Sequence, residues 1–206
     1  MNQQASAKFI KTAILPKDYP LIRNLSGELL PEVAVVGRSN VGKSSLLNTL
    51  FATKNLVKTS STPGKTQALN FFSFNNEIAF ADLPGYGFAK VPLSVKKEWG
   101  PMVQAYLEER RTLKLILLLM DIRRTPNEED LQFLEWAIHT NRAIILVLTK
   151  CDKVTQSQQH ELSKGILDAM HVENLHHVCF SAVKHRGRKE LLRLIGEAIA
   201  DESSDE

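Results

Sequence analysis

Two cysteines, Cys151 and Cys179, are all that 206 residues contain, and they have no metal-site spacing. A stapled secreted domain would carry more, so a reducing compartment and no disulfide are expected. Long apolar runs are also lacking. The longest, Leu115–Met120, has the length of a buried strand and not of a membrane span. The opening segment MNQQASAKFIKTAIL has no sustained apolar stretch of the kind a signal peptide needs, and the closing DESSDE offers no cysteine box for prenylation. Internal repeats and low-complexity linkers are absent. These gaps argue against a disulfide scaffold, a membrane protein, a lipid-anchored protein and a repeat array, and favour a cytoplasmic monomer with no membrane partner.

What is present is ordinary in amount and uneven in placement. Hydrophobic residues make up 43% and charged residues 24%, as in soluble globular proteins. The net charge is +3, but Glu197–Glu206 holds five acids and no base, which leaves +8 on residues 1–196. Basic residues gather at Lys184, Arg186, Arg188, Lys189 and Arg193, with others at Lys90, Lys96, Lys97, Arg123 and Arg124. Solvated helix faces explain such a pattern, and so does an electrostatic footprint for a polyanion such as RNA. Charge alone does not choose between them.

The chain divides into an N-terminal extension over 1–31 packed on or near the domain, a main domain over 32–200, and an acidic, disordered tail over 201–206. Strands and helices alternate from Glu32 onward, which predicts an α/β fold with a mostly parallel sheet covered by helices on both faces. Six strands are expected: Glu32–Val36, Leu69–Phe74, Glu77–Ala81, Lys114–Met120, Ala143–Leu148 and His177–Phe180. The second and third, joined at Asn75-Asn76, form a hairpin and so supply one antiparallel strand. Helices are expected over Lys43–Phe51, from Pro101 to about Arg110, and over Glu128–His139, Gln156–Met170 and Arg188–Ala200.

The segment Gly37-Arg38-Ser39-Asn40-Val41-Gly42-Lys43-Ser44 fits G-x-x-x-x-G-K-S between a strand and a helix. Gly37 and Gly42 let the loop curl so that backbone N–H groups converge on phosphate oxygens at a helix N-terminus. Lys43 places an ammonium between β- and γ-phosphates, and Ser44 offers a hydroxyl to Mg²⁺. Asp82-Leu83-Pro84-Gly85 follows a strand, where a carboxylate can hold Mg²⁺ through water and the Gly85 N–H can approach the γ-phosphate.

The base is decided elsewhere. Thr149-Lys150-Cys151-Asp152 follows an apolar strand at the edge where ligands collect. The Asp152 carboxylate can accept from N1–H and the 2-amino group of guanine, and adenine offers neither donor. The stem of Lys150 can lie over the base, and Phe180-Ser181-Ala182 places an N–H at Ala182 within reach of O6. A P-loop kinase or ATPase is disfavoured by this guanine motif.

With these motifs the chain resembles the translation-factor-related (TRAFAC) GTPases, and within them the EngB/YihA/YsxC family of bacterial ribosome-assembly GTPases. The resemblance covers about Ala13 to Ile199 and rests on GRSNVGKSSLLN, TPGKTQALNFF, DLPGYGFAKV, MDIRRTPNEEDLQFLEW and TKCD with FSA. It implies a Ras-like P-loop fold and binding of GTP or GDP with Mg²⁺. It further implies a role in large ribosomal subunit assembly, through the subunit precursor and its RNA, with cell-division and septation defects on loss. By the same resemblance Gly64-Lys65-Thr66-Gln67-Ala68 is the phosphate-side switch loop, with Thr66 a direct Mg²⁺ ligand. Lys43, Thr66 and Gly85 are then the catalytic set.

The hydrolytic chemistry is thin. Tyr86 stands where a glutamine usually orients the attacking water, which implies slow intrinsic hydrolysis. Asn40 has two readings, helping to hold K⁺ or bridging loop backbone. Thr53–Lys65 is expected to order with the γ-phosphate, and Phe88, Trp99 and Tyr106 are either partner contacts or packing residues. His176, His177 and Cys179 read as strand and loop residues. A switch recruiting a protein partner remains a competing reading. The RNA reading places charge-reversal sensitivity at Arg186, Arg188 and Lys189. Thr149 replaces the asparagine of the commoner motif and offers fewer contacts. GDP titration should therefore give a micromolar dissociation constant, about −8 kcal/mol, and a nanomolar value would contradict this.

Overall fold

The computed structural model describes residues 5–57, 68–86, 102–140, 142–172 and 174–202. In chain order these form β1 (Ala7–Ala13), β2 (Glu32–Gly37), α1 (Lys43–Leu50), β3 (Leu69–Phe74), β4 (Ile78–Asp82), α2 (102–109), β5 (Leu113–Asp121), α3 (Glu128–His139), β6 (Ala143–Thr149), α4 (Gln156–Met170), β7 (His177–Cys179) and α5 (Arg188–Glu202). Short 3₁₀ turns occupy Pro16–Asp18 and Cys151–Lys153.

One seven-stranded sheet runs β1-β3-β4-β2-β5-β6-β7. Strand β3 is antiparallel to both β1 and β4, and every other neighbouring pair is parallel, so β3 alone runs against the rest. The hairpin between β3 and β4 turns at Asn75 and Asn76, with φ of 53° and 56°. Asparagine tolerates that left-handed backbone.

The sheet has one strand more than the six expected. The extra strand is β1, drawn from the N-terminal extension. It lies at the sheet edge, and most of its residues are exposed, so the period-2 apolar signal of a half-buried strand never arises. The central strands are legible for the opposite reason. Buried on both faces, β2 and β5 read as continuous apolar runs.

Strand alternation sends side chains to two layers. Val33, Val35, Leu115 and Leu117 pack with Leu46, Leu47 and Leu50 of α1 and with Leu191 and Ile195 of α5. Ala34, Val36 and Ile116 face Val103, Tyr106 and Leu107 of α2. Further along the same side, Leu118 and Leu148 meet Leu134 of α3 and Ile166 and Met170 of α4. Helices α3 and α4 begin at capping boxes, Asn127 with Asp130 and Thr155 with Gln158, which satisfy first-turn N–H groups and fix where each helix starts.

Tyr106 is 1% exposed, and its hydroxyl donates to the buried Glu32 carboxylate, which places it among the packing residues. Arg110 donates to Glu32 through Nε (3.0 Å) and Nη2 (2.8 Å), reaches the Pro20 carbonyl, and lies 5.7 Å from the centroid of Phe71. Tyr19 packs its ring against Phe71 and Tyr106. This ionic cluster ties the N-terminal extension to the sheet. Removing one member of a buried pair leaves an uncompensated charge. Arg110→Ala should lower stability by about 3 kcal/mol in urea unfolding. Arg193→Ala, which breaks the exposed pair with Glu197, should cost under about 1 kcal/mol.

Candidate functional site

The parallel strands β2, β4, β5 and β6 all end at one edge of the sheet, and the loops that follow them converge there. Gly37 ends β2 against β5. A Cβ on it would lie 2.7 Å from the Leu119 carbonyl oxygen, so only glycine allows the loop to leave there. Gly42 is the N-cap of α1 at φ 115°, a conformation that disfavours side chains. It carries no capping oxygen, so the first-turn N–H groups of Lys43, Ser44 and Ser45 are directed toward an outside acceptor.

The Lys43 ammonium sits behind this loop, with Nζ 3.5 Å from the Gly37 carbonyl. Burial lowers its basicity, and the nearby Asp82 carboxylate opposes that shift. Asp82 ends β4 opposite Val35 of β2. Burial raises its carboxyl from an ordinary 3.8 to about 6, with Lys43 acting the other way. Among the described residues no hydrogen-bond donor reaches its buried Oδ1. An anionic oxygen that the protein leaves without a donor suits the water shell of a divalent cation, so the residues present fit Mg²⁺.

Leu83 is buried and donates its N–H to the Val35 carbonyl at 3.1 Å. Pro84 then leads to Gly85, where a Cβ would stand 2.9 Å from Lys43 Nζ and 2.9 Å from the Ser39 backbone nitrogen. Glycine is required here by close approach. Tyr86 follows, and the structure turns it away from the phosphate loop. Its phenol donates to Asp130 Oδ1 at 2.7 Å, and its ring stacks on Phe133 at 6.2 Å between centroids. Burial first, and then the Asp130 charge, raise the phenol far above its ordinary range. The Tyr86 backbone touches the loop, its carbonyl accepting from Ser39 N–H at 2.9 Å beside a parallel bridge to Arg38.

At the other end, the Thr149 hydroxyl lies 2.7 Å from the Val41 carbonyl and 3.0 Å from that of Met120, so its single proton serves backbone. Lys150 adopts φ 60° and sends its ammonium to the Asn40 carbonyl (2.8 Å) and to Asp121 Oδ2 (3.1 Å). Asp121 also receives Arg123 through Nε (2.9 Å) and Nη2 (2.7 Å), and these donors hold its carboxyl well below the usual carboxylate range against the effect of burial. Asp152 accepts from the Ser181 hydroxyl at 2.6 Å, which lowers its carboxyl. Cys151, Phe180 and Val41 point into the core, so what they present to this edge is backbone. Ala182 is partly exposed just beyond. Gln159 of α4 braces the loop by donating to the Cys151 carbonyl at 2.7 Å.

A family model described as 50S ribosome-binding GTPase matches residues 32–150. A probable GTP-binding protein EngB from Protochlamydia amoebophila is 66% identical over 206 residues, covering all of both chains. This chain belongs to the EngB family of GTP-binding proteins. Another EngB relative, from Syntrophotalea carbinolica, is 50% identical over 97% of this chain and 93% of its own length. The crystal structure of a probable GTP-binding protein EngB superposes with a TM-score of 0.70 at 22% identity, over 82% of this chain and 99% of that one, a likeness of fold. Era from Aquifex aeolicus, bound to GDP·AlF₄⁻, matches at 30% identity and TM-score 0.65, over 80% of this chain and 55% of its own. A second Era structure, in complex with MgGDPNP and a segment of 16S ribosomal RNA, matches at 28% identity and TM-score 0.62, over 81% and 55%. The fold is the Ras-like α/β fold of EngB, Era and their neighbours.

The EngB-family site thus gathers Gly37–Ser44, Asp82–Gly85, Thr149–Asp152 and Phe180–Ala182 at one sheet edge. Gly64, Lys65, Thr66 and Gln67 lie outside the described residues, as do Phe88, Lys90, Lys96, Lys97 and Trp99. Ala68 is buried just before β3. Asp121 and Asp130 went unassigned in the sequence reading. Asp130 carried a signal, since Asn127-x-x-Asp130 is a capping-box spacing, whereas Asp121 had only its place at a strand end. One expectation needs correction, that Arg188 lies free on the basic surface. Arg188 donates to the Thr49 and Leu50 carbonyls (2.9 and 2.8 Å), closing the C-terminal end of α1, and Arg193 pairs with Glu197. Neither is a free surface cation.

The raised Asp82 carboxyl has a pH consequence. The folded protein binds this proton more tightly than the unfolded chain. Its contribution to stability is therefore present below pH 4 and lost as pH rises through about 6. Metal-free protein melted in EDTA should lose roughly 3 kcal/mol over that window, and Asp82→Asn should remove most of the slope. An unchanged slope in the variant would refute this assignment.

Proposed function

We propose that this chain is a Mg²⁺-dependent GTP switch in large ribosomal subunit assembly that hydrolyses GTP slowly when alone, with cell-division and septation defects on its loss. The observation that carries the slow-hydrolysis reading is the orientation of Tyr86. Its hydroxyl is committed to Asp130 in the protein interior, so the position that usually aligns water supplies no group to do so. Activation by the ribosomal particle is the natural complement.

In this reading the N–H groups of Arg38–Ser44 cradle the phosphates, Lys43 meets the β- and γ-phosphates, and Gly85 N–H addresses the γ-phosphate. Ser44 and Thr66 would hold Mg²⁺ directly and Asp82 would hold it through water, and the ion would supply positive charge against the phosphates. Gly64–Ala68 is the phosphate-side loop in this reading. Asp152, kept ionised by Ser181, reads N1–H and the 2-amino group of guanine, Ala182 N–H meets O6, and the Lys150 stem lies along the base. Thr149 spends its hydroxyl on the phosphate loop, which supports modest nucleotide affinity. The Asn40 backbone carbonyl is engaged by Lys150, and the Asn40 side chain keeps both readings, loop bridging and a K⁺ site.

Era with MgGDPNP and ribosomal RNA supports both the metal and an RNA partner. Lys184, Arg186 and Lys189 are exposed and form no ion pair among the described residues, which supports reading them as the basic surface for RNA. Co-sedimentation with large-subunit precursor particles should be strongest with GTP and should weaken steeply with salt. Reversing Lys184, Arg186 and Lys189 to Glu should reduce it at least about tenfold without changing GDP affinity. Binding indifferent to nucleotide and salt would point instead to a protein partner.

A further inference from the structure

Asp121 is the last residue of β5, and its Cα partner in β6 is Thr149, so its carboxylate lies beside residue 150. It is 6% exposed. Arg123 encloses it with three donors, the backbone N–H at 3.2 Å, Nε at 2.9 Å and Nη2 at 2.7 Å. This grip fixes the carboxylate and leaves Oδ2 turned to Lys150 Nζ at 3.1 Å. The same ammonium donates to the Asn40 carbonyl at 2.8 Å. Two acceptors, one on β5 and one on the phosphate loop, therefore hold a side chain that otherwise carries large rotamer freedom. Lys153, three residues on, shows the contrast. It is 57% exposed and comes no closer than 3.7 Å to Asp152.

We infer that Asp121 is a positioning residue for guanine recognition, holding Lys150 so that its methylene stem is already set as the platform for the base. The inference rests on the proposed placement of that stem along guanine. A pre-ordered platform loses less freedom on binding, so affinity depends on a residue that never touches the nucleotide. Arg123 acts by aiming the carboxylate. A neutral amide at position 121 keeps one acceptor oxygen, which cannot serve Arg123 and Lys150 with the original charge, and the lysine is released.

The test is a double-mutant cycle on the full chain, read by GDP titration with Mg²⁺, with pyrophosphate binding as the measure of the phosphate end. Asp121→Asn should weaken GDP about tenfold in the wild-type background and less than about twofold in Lys150→Ala. Pyrophosphate affinity of Asp121→Asn should stay within about twofold of wild type, which general damage to the fold would not allow. Asp121→Glu keeps the charge and shifts the ammonium, and it supplies a second cycle with the same expected pattern should Asp121→Asn fail to fold. An undiminished loss in the Lys150→Ala background overturns the inference. So does a parallel fall in pyrophosphate affinity, or Arg123→Gln reproducing the full loss while GDP binding still responds to Lys150→Ala. Wild-type protein that binds pyrophosphate but not GDP would instead defeat the guanine reading itself.

Discussion

A carboxylate taken out of water costs several kcal/mol unless its charge is met, and much of this fold is arranged around that cost. Glu32, Asp82, Asp121 and Asp130 are each no more than 9% exposed. Three are answered by the protein. Glu32 has Arg110 and Tyr106, Asp121 has Arg123 and Lys150, and Asp130 has the Tyr86 phenol and the Asn127 N–H. Asp82 is the exception, with Lys43 nearby but one oxygen without a donor among the described residues. The difference separates structure from site. Where a buried anion is fully paired it joins elements, and where it is not it suits a cation brought in with a ligand.

Each of these three carboxylates has at least one partner far away in the chain. Arg110 fastens the N-terminal extension to β2. Tyr86 carries the loop after β4 to the start of α3. Lys150 links the guanine-side loop to the phosphate loop. The two ends of the candidate site are thereby mechanically continuous through side chains, with Thr149 and Lys150 both bonded to phosphate-loop carbonyls.

How much of this was legible depended on whether the signal was local. The parallel strands announce themselves because burial on both faces demands apolar runs such as Leu115–Met120. GRSNVGKS places a strand end at Gly37 and a helix start at Lys43 because only those conformations suit its glycines. Strand β1 stayed hidden, since an edge strand in solvent needs no alternation. The direction of the Tyr86 ring was equally out of reach, because it is set by Asp130 and Phe133 more than forty residues later. Arg188 looked like one more surface cation, and its role depends on the carbonyls at the end of α1, which lie 138 and 139 residues earlier.

That last contact has a bearing on the order in which the molecule is made. Helix α1 presents its positive end to the phosphate loop, and its negative end is closed by a guanidinium from α5. Leu191 and Ile195 of the same helix also complete the layer behind α1. A chain that ends at β6 holds the whole phosphate loop and the strands on which α1 packs, yet lacks the guanidinium of Arg188 and the cover of Leu191 and Ile195. The layer behind the phosphate loop is therefore completed only by the segment from residue 188 onward, which folds back onto one of the earliest helices.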